Sequence, residues 1–305
     1  MARVFRRLCF TSVFVVMCSS TLLSFHTDRS SSSMLKRETK MNSKADFRTV
    51  ALLCYGLPRS LRFTIHSIRS NVISPLQNVD VQVDTFVHTF RHRRPISNRR
   101  SQELNVKLDN DEWKLLQPAN VSIEEVESVL HDQRGLLNKL KRYGDAWRDG
   151  FSSLERYLLG LHSAQYVTRM AEQQHKSYDG AILIRGDLLF YDPLDVRLFA
   201  QALRMNTIVI PAWQSWFGLN DRFMYGAFNE ILRYGGRVEH VMSFCSQTGQ
   251  PFHSEKFLYW ISVNSELAFV KQKLLLCTKQ RAARVRADGR IHDENFTPNT
   301  PMCQG

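Results

Sequence analysis

The segment YDGAILIRGDLLFYDPL, residues 178–194, ends an apolar run on a charged pair, Arg185 and Asp187. Charge is costly in a core unless something pairs with it. In open α/β sheets ligands bind outside the carboxyl ends of the strands, so a carboxylate at such an end is a candidate for contact with a polar ligand. Arg59 follows the turn Gly56-Leu57-Pro58, beside a helix start whose free backbone N–H groups could hold phosphate. Farther on, residues 213–222 set Trp213 and Trp216 beside Asn220, Asp221 and Arg222. Rings and polar groups so mixed suit a sugar face and its hydroxyls, and they also suit ordinary packing. His253 and Glu255 stand just ahead of an apolar helix, where Ser254 and Glu255 are also capping residues.

These residues need elements to position them. Val50 to Cys54 read as a buried strand, and from Ser60 the apolar positions Leu61, Ile65, Ile68 and Val72 recur at helical spacing. VDVQVDTFVHTF reads as a second strand, ending on His88 and Thr89. Two strands joined through a helix predict a parallel sheet with a right-handed crossover. Residues 110–177 read as mostly helical, with Ser122 and Glu125 forming a capping box. A stripe of Leu154, Leu158, Leu161, Tyr166 and Met170 then faces the core. Ala181 to Ile184 form the next strand, LDVRLFAQAL a short helix, and NTIVIPA a strand that Pro211 ends. Another helix is predicted to begin near Tyr225, and no internal repeat is visible.

The 305 residues fit one large domain with short accessories. A formal net charge of +12 asks for an anionic partner, yet no basic helix interleaved with aromatics or other nucleic-acid signature is present. The basic runs at 91–100 and 279–290 read as solvated faces. Arg3, Arg6 and Arg7 precede the uncharged apolar stretch 8–25, long enough to span a bilayer. The expectation is a single-pass type II protein: cytosolic tail 1–7, signal anchor 8–25, flexible stem 26–46, lumenal domain 47–290 and tail 291–305. A cleaved secretory signal is the alternative. Sequons at Asn120 and Asn295 agree with passage through the secretory route. Cys54, Cys245, Cys277 and Cys303 permit one or two disulfides there, and no Cys/His spacing suggests zinc.

The ordered motifs ALLCYGLPRSLRFTIHSI, DTFVHTF, YDGAILIRGDLLFYDPL, IPAW with GLNDRFMYG, and HSEKFLYWIS resemble a family of glycosyltransferases with the GT-A nucleotide-sugar-binding fold, over most of residues 47–270. The resemblance implies a GT-A-like, Rossmann-like α/β single domain whose mostly parallel central sheet is flanked by helices, behind an N-terminal transmembrane helix. It implies a UDP- or GDP-sugar donor, a glycan or glycoprotein acceptor, and a divalent cation, Mn²⁺ or Mg²⁺; the anchor-and-stem layout adds the expectation of a Golgi or ER membrane location. Carried onto this chain, Tyr55, Gly56 and Arg59 would seat the donor and Asp187 would hold the metal. Arg185 replaces the first acid of the usual Asp-x-Asp, leaving one carboxylate for the metal unless Asp192 helps; its guanidinium could instead neutralise the diphosphate. Trp213, Trp216, Asn220 and His253 would face the acceptor. Transfer also needs a base for the acceptor hydroxyl if configuration inverts, which points to Asp221 with Glu255 behind it. Two other readings stand beside this one: a Golgi sulfotransferase, from YGLPRSLRFTIHSI, and a non-catalytic lumenal glycan-binding protein of the same fold.

Overall fold

The computed structural model describes residues 46–57, 59–98, 102–264 and 275–292. The expected anchor, nearly all of the stem, Pro58, the sequon at Asn295 and the residues beyond 292 lie outside the described residues. Among the described residues no helix is long and apolar enough to cross a membrane.

Strand β1 (Thr49–Gly56) leads to α1 (Leu61–Ile68), which runs through a π turn into the short α2 (Ser74–Gln77). The chain returns as β2 (Gln82–Arg91), parallel to β1 as the strand-helix-strand pattern predicts. An antiparallel pair, β3 (Ile96–Asn98) and β4 (Glu103–Val106), and a 3-10 turn at Glu112–Leu116 precede β5 (Asn120–Glu125). Helices α3 (Val126–Asp132), α4 (Arg134–Lys141) and the long α5 (Ser152–Glu172) follow. Then come β6 (Gly180–Arg185), β7 (Leu188–Phe190), α6 (Val196–Arg204), β8 (Ile208–Pro211) and β9 (Phe223–Ala227). The remainder is α7 (Phe228–Gly235), α8 (Val241–Thr248), α9 (Ser254–Asn264), β10 (Leu276–Thr278), β11 (Ala282–Val285) and β12 (Ile291–His292).

The central sheet runs β10-β8-β9-β6-β1-β2-β5, and every neighbouring pair is parallel except those of β9. It is an α/β fold with a mostly parallel sheet between helical layers, as expected. Side-chain alternation divides the core in two. Ala51, Leu53, Ala181 and Leu183 pack on the α5 side, while Val50, Leu52, Ile182 and Ile184 pack on the α1 and α6 side. Tyr55 and Arg185 are register partners at the ends of β1 and β6, and the same alternation turns both toward the α5 side. A smaller sheet, β12-β11-β7, lies across the stretch that follows β6.

Two expected elements differ. Residues 120–125 are a strand and not the start of a capped helix, because Val121 and Ile123 are β-branched and the segment pairs residue for residue with Phe86–Arg91. The helix starts at Val126. Near Tyr225 the chain is a buried strand, wedged antiparallel between β6 and β8. Gly226 permits this close approach: at φ +154° it lies so near β8 that a Cβ would sit 2.2 Å from the Thr207 carbonyl oxygen. Cys54 and Cys245 are buried free thiols, and Cys277 is disulfide-bonded.

Candidate active site

A cavity of about 530 Å³ opens beyond the carboxyl ends of β1 and β6. Tyr55, Gly56 and Arg59 line it from the first loop, Arg185 from β6, Trp216, Asp221 and Arg222 from the loop before β9, and His253, Ser254 and Glu255 from the start of α9. Most of the candidate residues therefore meet in one place, although they are scattered over two hundred positions of sequence. Three do not line it. Trp213 is buried and donates its indole N–H to the Gln280 carbonyl at 2.7 Å, while Asn220 donates to the Trp213 carbonyl at 2.8 Å and accepts the Arg222 amide. Both hold the loop in shape from behind the wall.

Asp187 is the third. It is 2 % exposed, and guanidinium groups converge on it: Arg185 binds both oxygens at 2.7 and 3.0 Å, with Arg59 and Arg284 each 3.2 Å from Oδ2. Burial opposes its ionisation, but the fields of Arg185, Arg284 and Arg59 outweigh that and hold the carboxyl well below the usual carboxylate range. A divalent cation at Asp187 would have to displace or face three fixed positive charges, so the residues present do not fit the metal the resemblance implies. Asp192 gives no help, since both its oxygens accept from Arg281 at 2.7–2.8 Å. The carboxylate at position 187 instead serves as the counter-charge that fixes three arginines in place.

Those arginines matter because four more join them. Arg59, Arg156, Arg185, Arg222, Arg237, Arg284 and Arg286 all line the cavity, against the two carboxylates Asp221 and Glu255. Arg59 is stretched between Asp187 and the fully buried Glu103, whose other oxygen accepts the Ala287 amide. Arg284 comes from β11, inside a basic run that reads as a solvated face. It is correctly a strand residue, turned inward because β11 pairs with β7 over Asp187. The expected phosphate seat at the start of α1 is taken: Glu112 accepts the Leu61 amide at 2.8 Å and pairs with Arg62, supplying the negative charge that a phosphate would have brought. This removes the helix-start phosphate seat from the sulfotransferase reading, which the topology and basic charge also suggested.

The two lining carboxylates differ in environment. Asp221 is pinned by the Tyr157 hydroxyl, and the Tyr55 hydroxyl donates to its backbone oxygen at 2.8 Å. Glu255 accepts from the Ser254 hydroxyl and lies 3.5 Å from Arg222 and 3.4 Å from His253. Burial, reinforced by the charge of Asp221 and opposed by Arg222, pushes Glu255 up to about 7. Such a carboxyl can exchange a proton near neutral pH. Gly218 brings the aromatic loop against this residue: a Cβ there would lie 1.9 Å from the Glu255 carbonyl oxygen, and the Leu219 amide donates to that same oxygen at 3.1 Å. Next to Gly218, Gln214, Trp216 and Phe217 have φ of +51°, +39° and +67°, and Phe217 is 86 % exposed.

Helix α5, to which the sequence reading assigned only core packing, supplies Arg156 and Tyr157 to the cavity. Trp147, ahead of α5, stacks on both Tyr157 (centroids 5.6 Å apart) and His253 (5.2 Å). Its position in an irregular stretch, with no period to mark it, left no signal.

No family model matches the sequence, and no curated protein matches it. Among solved structures, mouse xyloside xylosyltransferase 1 in its apo form is similar at a TM-score of 0.37 and 10 % identity, covering 76 % of this chain and 84 % of that one. Likeness at that level assigns nothing to this chain.

Proposed function

We propose that the chain is a glycosyltransferase that takes a sugar from a UDP- or GDP-sugar, with the donor's diphosphate held by arginines and not by a cation on Asp187. The supporting observation is the composition of the cavity wall: seven guanidinium groups and two carboxylates face one space beyond the strand ends. Guanidinium forks match phosphate oxygens bidentately and keep their charge when partly buried. In transfer, the bond from the anomeric carbon to the diphosphate oxygen breaks as the acceptor oxygen bonds to that carbon. Negative charge gathers on the departing diphosphate, where Arg185 and Arg284 already stand fixed by Asp187. The acceptor's proton passes to Glu255, whose affinity for it is near neutral and whose neighbour Asp221 stays fixed by Tyr157. Trp216, half-exposed at the cavity, offers a ring face to base or sugar.

A glycan or glycoprotein acceptor and a Golgi or ER membrane location complete the reading, supported by the uncharged segment 8–25 behind three arginines. The test is a panel of UDP- and GDP-sugars offered to the full chain, reading both melting temperature and release of free nucleotide. One nucleotide class should raise the melting temperature and be consumed. Binding of none overturns the proposal; binding without consumption, with any acceptor glycan, returns the chain to the glycan-binding alternative.

A further inference from the structure

On the far side of the cavity wall, three residues from three elements converge on one point. His88 lies in β2, Glu124 in the edge strand β5, and His162 on α5, at sequence separations of 36 and 38. The parallel register sets Glu124 beside Phe90, so that His88 and Glu124 project from the same face of the sheet and α5 passes over them. His88 Nε2 is 2.8 Å, and His162 Nε2 2.5 Å, from the same Glu124 oxygen, Oε2. None of the three lines the large cavity.

The second ring nitrogen of His88 has an outer partner of its own. His88 Nδ1 is 2.8 Å from Ser163 Oγ, which accepts the Gly56 amide at 2.8 Å and donates its own hydrogen to the His88 carbonyl at 3.0 Å. That hydrogen also reaches Nδ1, so the ring has two arrangements: Nε2–H donating to Glu124 with Nδ1 accepting from Ser163, or Nδ1–H donating to Ser163 with the Nε2 lone pair open to an ion. Glu124 Oε2 is shared by two imidazole nitrogens, and one cation in place of their two protons would engage all three side chains. Outer partners of this kind are what orient a histidine that ligates metal.

We propose that His88, Glu124 and His162 bind one divalent transition-metal ion, Zn²⁺ by ligand type, clamping edge strand β5 to α5. Two imidazole nitrogens and one carboxylate suit zinc, whereas calcium and magnesium prefer all-oxygen sets. The three ligand atoms lie within 4.8 Å of one another. Bonds of about 2.0–2.2 Å require the ligand atoms to part to roughly 3.3 Å, a small swing of the Glu124 and His162 side chains. Both are partly open to solvent, at 30 % and 23 % side-chain exposure, so an ion can enter and a fourth ligand can be water. None of the three ligands belongs to the cavity lining, so metal uptake can be read separately from donor binding.

The experiment uses the untagged full chain, stripped with dipicolinate and titrated with Zn²⁺ by calorimetry, and with Co²⁺ followed by visible absorption. The wild type should take up a zinc equivalent with a rise in melting temperature, and give the Co²⁺ bands of an imidazole-ligated site. His162→Ala and Glu124→Gln, whose side chains reach solvent, should each lose at least about tenfold in affinity and most of the thermal rise. Absence of Zn²⁺ uptake by the wild type, or uptake and thermal rise unchanged in both variants, overturns the proposal. If one variant fails to fold, the other decides.

Discussion

At the scale of single residues, the site turns on two carboxylates with opposite fates. Asp187 is ionised, buried and saturated by guanidinium groups, whereas Glu255 is buried with too little compensation and holds its proton to about pH 7. If Glu255 is the base, only its ionised form works, so kcat/KM should climb as pH rises through about 7. Glu255→Gln should flatten that climb and lower turnover by about a hundredfold, measured as a pH–rate profile. Removing the Asp187 charge acts on stability. Asp187→Asn leaves three guanidinium groups facing one another and should cost about 3 kcal/mol in urea unfolding at pH 7. Because the folded-state value of Asp187 is depressed, its contribution is complete above the unfolded value of about 3.9 and fades as pH falls below it. The gap between wild type and variant should therefore narrow in acid. A metal-ligand role for Asp187 would predict a variant of ordinary stability that fails only in turnover.

Among the elements, the strands that build the floor of the cavity were readable and those that close it were not. β1 and β6 are continuous apolar runs, the pattern of a strand buried on both faces, and β2 begins with alternation before its Phe86-Val87 pair. β5 carries Ser122 and two glutamates that imitate a helix start, and only its pairing with β2 makes it a strand. β11 lies in a stretch so basic that solvent was the natural reading, until Asp187 supplied the counter-charge. Glu112 could not be foreseen at the start of α1 because that contact spans 51 positions. His88, Glu124 and His162 carry no local spacing at all. The loop before β9 was legible in composition alone, and its function depends on Gly218, where the chain touches Glu255. Gly218→Ala forces the first turn of α9 outward. We expect a loss of about 1–3 kcal/mol in stability, by thermal or urea unfolding, together with a drop in turnover that Glu255→Gln does not deepen further.

For the whole molecule, the net charge of +12 gains a location. Part of it converges on one cavity, where seven arginines face a space open to solvent. An anionic donor should be drawn in along this field, and its affinity should fall several-fold between about 50 and 200 mM salt, a dependence that calorimetry reads directly. Adding Mn²⁺ or Mg²⁺ should leave donor affinity within about twofold, because the arginines already neutralise the diphosphate. A requirement for either ion would return the metal to the cavity and oblige the Asp187 cluster to open.

Phe217 shows what a chain built of left-handed amino acids concedes to hold a ring in open water. Its backbone occupies ground that a mirror-image residue would enter freely, at a cost of roughly 1–2 kcal/mol to the natural enantiomer. Phe217→Ala should remove the ring and keep the backbone cost, whereas Phe217→Gly should remove both, so glycine should melt above alanine. Comparing the two would separate what the aromatic contributes at the cavity mouth from what its awkward posture costs.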